Sequence, residues 1–151
     1  MDDRFLREEM LLGTAAMERL RGAHVAVVGL GGVGSWCAEG LARAGVGALT
    51  LLDEDTVSRT NINRQLVALT STLGKSKAET AAARVRDISP DCRVTPLAAR
   101  YDSEHREALF FQDYDYIVDA IDLVACKVDL ICTARERGIP IVSALGTGNK
   151  R

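Results

Sequence analysis

With 151 residues, a formal net charge of −2 and 47% hydrophobic residues, the chain has the length of one domain and enough apolar mass for a core. This balance excludes a disordered or polybasic chain, and no apolar run approaches the ~20 residues that span a bilayer. The acidic start has no leader-like apolar segment, which makes a cytoplasmic protein without membrane attachment the expectation.

In chain order, residues 7–20 predict a helix in which Leu11, Leu12, Ala15, Ala16 and Leu20 share one apolar stripe. Residues 25–28, V-A-V-V, form a β-branched run suited to a buried parallel strand. The run ends in G-x-G-x-x-G at Gly29, Gly31 and Gly34. Gly29 suits a sharp turn, Gly31 the approach of backbone to a phosphate, and Gly34 close packing of helix on strand. Gly32 removes a further side chain at the mouth. A helix over about 33–44, stopped by Gly45, then aims free N–H groups at an anion. Residues 48–52 predict the second strand, and Asp53 stands at its tip, 19 residues past Gly34. A ribose-binding acid is expected ~20 residues beyond the glycines, so strand, turn, helix and acid together specify a nucleotide site, with Asp55 a second carboxylate beside it. The bland alternative is a glycine-rich turn that holds no ligand.

Residues 54–76 make a long polar passage with short helical pieces, a length that in a compact domain marks function. Within it, T-N-I-N-R-Q gathers Asn61, Asn63, Arg64 and Gln65. A helix over 77–88, with Ala81, Val85 and Ile88 inward, stops before Pro90. Residues 93–97 predict a strand that Pro96 assigns to a sheet edge. Then come a helix over 104–111, a central strand over 116–118 ending in D-A-I-D at Asp119 and Asp122, a helix over 125–137 stopped by Gly138, and a strand over 140–144. This alternation predicts an α/β, Rossmann-like, doubly wound fold: a mainly parallel sheet with helices on both faces. Ligands of such sheets lie beyond the C-terminal strand ends. Residues 29–34, Asp53, Asp119 with Asp122, and residues 145–149 are therefore expected around one mouth. The ending G-T-G-N-K-R directly after a strand tip predicts that residues 1–151 are a nucleotide-binding domain lacking a C-terminal region. Cys37, Cys92, Cys126 and Cys132 form no C-x-x-C and have no histidine cluster beside them, so neither zinc nor a disulfide framework is expected. Cys37 and Cys132 read as small hydrophobes on apolar helix faces, and neither His24 nor His105 is given a role.

Splitting a nucleoside triphosphate requires cations aimed at the leaving pyrophosphate, usually with Mg²⁺ held by a carboxylate. Arg64 offers a bidentate fork and Lys77 a mobile point charge. Asn61 can donate to a phosphate or orient a neighbour, Asp122 suits Mg²⁺, and Asp119 can cap the following helix. Each has a plainer reading on its own: Lys77 as a solvated helix residue, Arg64 as a surface ion pair, Asp122 as an N-cap. Their shared position at one sheet mouth favours phosphate chemistry.

The segments G-L-G-G-V-G-S-W, L-L-D-E-D-T-V, T-N-I-N-R-Q, G-K-S-K and V-D-A-I-D resemble the adenylating domain of the ubiquitin-activating-type (ThiF/MoeB/HesA-like) superfamily, from about Arg4 to Lys150. The resemblance implies ATP and Mg²⁺ as ligands. It implies binding roles for Gly29, Gly31, Gly32, Gly34, Asp53 and Asp55, catalytic and binding roles for Asn61, Arg64, Lys77 and Asp122, and the metal at Asp122. It further implies a homodimer in which Arg7 reaches the γ-phosphate in the partner subunit's site. Within the superfamily, G-V-G-S-W-C-A-E-G-L-A-R-A-G-V-G and V-D-A-I-D are most similar to the tRNA threonylcarbamoyladenosine dehydratases. That likeness implies ATP-dependent adenylation of the threonyl carboxylate on the modified adenosine, then cyclisation with release of AMP. Its implied partners are tRNA carrying threonylcarbamoyladenosine and a sulfur-relay protein. The net charge of −2 shows no basic footprint for RNA. Two other activities fit parts of the pattern. An adenylyltransferase charging the C-terminal glycine of a ubiquitin-like sulfur carrier would use the same site, although such enzymes more often carry S-N-L-Q-R-Q and C-T-D-N. An NAD-dependent dehydrogenase would use the glycines and Asp53 but leave Arg64 and Lys77 without a task. A catalytically dead interaction module is the remaining alternative.

Overall fold

The computed structural model describes residues 2–146. Its frame is five parallel strands: β1 (His24–Val28), β2 (Ala48–Leu52), β3 (Arg93–Leu97), β4 (Tyr116–Asp119) and β5 (Ile141–Ser143), in the order β3-β2-β1-β4-β5. Six helices accompany them: α1 (Leu6–Leu12), α2 (Thr14–Gly22), α3 (Gly34–Arg43), α4 (Lys77–Ile88), α5 (Glu107–Phe110) and α6 (Val124–Glu136). Side chains alternate across each strand, so a strand buried on both faces must be apolar at nearly every position. Val25, Val27, Leu49, Leu51 and Val118 face a core made with α3 and α4, to which Ala38, Ala42, Ala78, Ala82 and Val85 contribute. Ala26, Val28, Leu52 and Ile117 face a second core made with Leu109, Phe110, Leu130 and Ala134 of α5 and α6. Small residues on α3 and α4 let those helices lie close to the sheet. Truncating a fully buried strand residue such as Leu51 to alanine would cost about 2–5 kcal/mol.

The strand order reverses on either side of β1, with β2 to one side and β4 to the other. Chains leaving those strands diverge to opposite faces and open a crevice at their C-terminal ends. Pro96 lies on β3 at the sheet edge, where a missing N–H donor does least harm.

Five details differ from the sequence expectations. The first helix is two, separated by Gly13 at a φ of +84°. No residue of α1 is buried, and Met17 with Leu20 supplies the inward contact in place of Leu11 and Leu12. The helix expected over 104–111 is reduced to α5 because the Asp102 carboxylate accepts the N–H groups of Glu104 and His105, each at 2.9 Å, and holds them in a turn. Asp119 does not cap α6 but is fully buried, while Cys132 is exposed because it falls outside the α6 stripe of Cys126, Leu130, Thr133 and Ala134. No described helix is long and apolar enough to cross a membrane.

Candidate active site

A cleft of about 670 Å³ opens at the C-terminal ends of β1, β2 and β4, a size typical of small-ligand sites. Its floor is the turn from β1 to α3. Gly29 has a φ of +92°, and a Cβ there would stand 2.6 Å from the carbonyl oxygen of Ala120. A side chain on Gly34 would overlap the carbonyl oxygen of Gly29, so α3 can start this close to β1 only with glycine. Among the described residues, no hydrogen bond uses the N–H groups of Gly31, Gly32, Val33 or Gly34. Unused donors at the start of a helix form an anion site.

Asp53 joins two strand tips. Its Oδ2 accepts the Leu30 N–H and its Oδ1 the Asp55 N–H, both at 2.8 Å. Each oxygen keeps a lone pair for ligand hydroxyls. Gly31, Gly32, Asp53, Asp55, Arg64, Lys77 and Asp122 all border the cleft. Arg64 lies along Gly32, where a Cβ would come within 3.4 Å of its Cγ, and its guanidinium donates to the Thr60 carbonyl at 3.1 Å and to Asn63 Oδ1 at 2.9 Å. Those bonds use one terminal nitrogen and leave the rest of the fork unengaged among the described residues. The Lys77 side chain is only 7% exposed, yet its nearest carboxylate is Asp55 Oδ2 at 3.7 Å, itself 66% exposed. A buried ammonium with one distant partner retains donors for an anion.

Asp122 is exposed at the mouth and makes no side-chain hydrogen bond among the described residues. No group of three or more His, Cys, Asp or Glu among the described residues could hold a metal unaided. One free carboxylate beside unused N–H groups fits the way Mg²⁺ is commonly bound, through one or two carboxylates plus substrate phosphates and waters.

Other expected residues stand elsewhere. Asn61 is buried behind the cleft, where its Oδ1 accepts the Ser58 N–H at 2.9 Å and its carbonyl accepts the N–H groups of Arg64 and Gln65. It shapes the loop that presents Arg64. Gly34 serves packing, and Arg7 lies exposed on α1, away from the cleft lining. Leu145 and Gly146 reach the mouth, whereas residues 147–149 lie outside the described residues.

Several contributors are visible only in the structure. The Ser35 hydroxyl donates to the Gly31 carbonyl at 2.5 Å and accepts the Leu66 N–H at 3.1 Å. Trp36 Nε1 donates to the Arg64 carbonyl at 2.9 Å, so the first turn of α3 clamps the 61–66 segment. The S-W pair after the last glycine was the available signal. Tyr101 forms part of the far wall and donates to Asp129 Oδ2 at 2.7 Å. Burial pushes its phenol well above the usual range, which keeps it a neutral donor. Beneath the Asp122 segment, Lys127 Nζ donates to Asp119 Oδ2 at 2.7 Å, Ser143 Oγ at 3.2 Å and the Ala144 carbonyl at 2.8 Å. Asp119 Oδ1 accepts the Ile121 N–H at 3.0 Å, and the Ser143 hydroxyl also donates to Asp119.

Residues 5–150 match the model of the ThiF family. The chain is 44% identical to the tRNA threonylcarbamoyladenosine dehydratase of Bacillus subtilis over 97% of its own length and 58% of that protein's. It is 39% identical to the molybdopterin-synthase adenylyltransferase of Escherichia coli over 83% of its length and 50% of that protein's. The crystal structure of the Escherichia coli dehydratase TcdA in complex with ATP superposes with a TM-score of 0.94 at 44% identity, covering 98% of this chain and 61% of that one. The chain thus spans about three-fifths of the dehydratases it resembles. With the family pattern running over residues 5–150 and the fold shared with a 44% identical structure, the chain belongs to the ThiF family.

Proposed function

We propose that this chain is the ATP-binding, adenylating domain of a tRNA threonylcarbamoyladenosine dehydratase. The observation that carries the reading is the single cleft that collects Asp53, Arg64, Lys77 and Asp122 around unused loop N–H groups. The 44% identity to dehydratases, one of them in complex with ATP, supports it. Asp53 takes the ribose hydroxyls, and the N–H groups of residues 31–34 take phosphate oxygens. Arg64 and Lys77 face the β- and γ-phosphates. Mg²⁺, bound by Asp122 together with the phosphates, would supply charge compensation for the departing pyrophosphate.

The threonyl carboxylate attacks the α-phosphorus. A carboxylate O–P bond forms, the α–β bridging P–O bond breaks, and pyrophosphate leaves with its charge met by Arg64 and Lys77. The carbamoyl nitrogen then attacks the activated carbonyl carbon and gives up its proton. AMP departs with one former carboxylate oxygen. Asn61 acts by holding the loop behind Arg64.

The active species in this reading is a cytoplasmic homodimer, with Arg7 of one subunit completing the other's site. α1 fits such an interface, since Met10, Leu11 and Leu12 project apolar side chains away from their own core. tRNA and a sulfur-relay protein are the partners the reading implies. The 39% identity to a molybdopterin-synthase adenylyltransferase keeps carrier-protein activation as the second reading. ATP–pyrophosphate exchange by the full-length protein separates the two. Stimulation by tRNA carrying threonylcarbamoyladenosine is expected, and stimulation only by a ubiquitin-like carrier would favour the second. NAD binding with no response to ATP would remove both.

A further inference from the structure

Gln65 is a polar residue of the cleft whose side chain has no hydrogen-bond partner among the described residues. It is 7% exposed, borders the cleft, and its Oε1 is buried without a hydrogen bond. The amide takes part in no hydrogen bond among the described residues. Its backbone, by contrast, is fixed on every side. The Gln65 N–H donates to the Asn61 carbonyl at 2.9 Å, and its carbonyl accepts the Ala68 N–H at 3.1 Å. The next residue is held by Ser35 Oγ through the Leu66 N–H. The main chain that carries the side chain is therefore held at the cleft wall.

That place is the phosphate end of the cleft. Gln65 Nε2 lies 3.5 Å from where a Cβ on Gly31 would stand, beside the unused N–H groups of residues 31–34. A Cβ on Gly31 would make only ordinary contact with the amide, so the two groups line the same wall of the cleft. A buried amide left unpaired destabilises a fold, and such groups in native proteins call for a specific explanation. A structural role would have supplied a partner. The enclosed end of the amide is Oε1, and the end that stands beside Gly31 in the cleft wall is Nε2, so Nε2 is the end within reach of a ligand. The free groups nearest Nε2, the N–H groups of residues 31–34, are donors, so a ligand atom shared with them is an acceptor.

We propose that Gln65 is a ligand-binding residue whose Nε2 donates to a phosphate oxygen of the bound nucleotide, alongside the glycine-loop N–H groups. This rests on the proposed nucleotide binding and adds one contact to it. The same amide then exchanges stability for affinity: it weakens the ligand-free fold and strengthens the complex.

The test uses full-length protein with Gln65→Met, which keeps the length and removes the amide, and Gln65→Glu, which keeps the shape and adds a negative charge. Melting without nucleotide is measured with calorimetric titration of ATP and adenosine. Removing the unpaired amide should raise the melting temperature of Gln65→Met by roughly 2–6 °C. ATP affinity should fall about tenfold or more in Gln65→Met and further in Gln65→Glu, with adenosine affinity unchanged. A Gln65→Met protein that melts lower than wild type, or fails to fold, would overturn the proposal by showing a structural role. Undiminished ATP affinity, or an equal loss for adenosine, would overturn it as well. Wild-type protein that ignores ATP would remove the nucleotide reading on which the proposal stands, and that result is distinct from the others.

Discussion

Lys127→Met should unfold the chain far more easily than its conservative volume suggests. Methionine keeps most of the aliphatic stem, so little apolar burial is lost. What disappears is the ammonium that bonds Asp119, Ser143 and the Ala144 carbonyl. Asp119 is 0% exposed and would keep only the Ser143 hydroxyl and the Ile121 N–H. Removing one partner of a buried pair leaves an uncompensated charge and costs about 3–5 kcal/mol, against the ~0–1 kcal/mol of an exposed pair. For a domain of this size that corresponds to roughly 6–20 °C in melting temperature. Adding Asp119→Asn to Lys127→Met removes the stranded charge and should recover a substantial part of the loss. Denaturant unfolding at neutral pH, followed by circular dichroism with the slope checked for constancy, reads both effects. A loss below about 1 kcal/mol, or no recovery in the double variant, would refute the view that this pair ties β4, β5 and α6 beneath the Asp122 segment.

Arg64→Ala and Lys77→Ala should each slow adenylate formation by on the order of 10²–10³ while weakening ATP binding much less, because both cations meet charge that develops as pyrophosphate leaves. Single-turnover kinetics beside calorimetry checks this, and equal losses in both would assign them to ground-state anchoring. An Arg7→Ala chain mixed with an Asp122→Ala chain should regain activity that neither homodimer has, since one mixed site keeps both residues. Silence from a purified heterodimer would mean that Arg7 does not act across the interface. Stability should also fall in acid. The Arg106 guanidinium holds the Asp129 carboxyl below the usual range, and Arg84 does the same for Glu39. Groups depressed in this way stabilise the fold above the ordinary carboxylate pKa and lose that contribution as pH falls through the folded-state value. Asp129→Asn should flatten the acid limb of a stability–pH curve, and an unchanged limb would exclude the pair as a contributor.

The sheet was readable from sequence because parallel strands buried on both faces leave unbroken apolar runs, as at Ala48–Leu52. Lys77–Ile88 was equally legible from its apolar period and the Pro90 beyond it, and the structure adds Ser76 as its N-cap. Asp53 could be located by spacing alone, since one strand–helix–strand unit sets the distance from Gly34 to the next strand tip. Local polar competition was harder to see. Asp102 captured two N–H groups that a helix would have used, and Gly13 broke a stripe that looked continuous. Asn61 belonged to the recognised polar cluster, yet whether its amide faced ligand or loop depended on the Ser58 cap. The Lys127–Asp119–Ser143 knot was invisible because its members come from three elements and meet only through the β4–β5 register. Gln65 was named in the cluster, but that its Oε1 is buried without a partner among the described residues depends on how the loop packs against α3.

In the proposed reaction ATP activates the threonyl carboxylate through an acyl adenylate. This step is tested most directly by following the carboxylate oxygen. Full-length protein is supplied with ATP, magnesium and tRNA whose threonylcarbamoyladenosine carries ¹⁸O in that carboxylate, and the AMP released is weighed by mass spectrometry. One ¹⁸O atom should appear in each AMP formed with cyclised product. Cyclised product accompanied by unlabelled AMP, or by ADP and phosphate, would contradict the account.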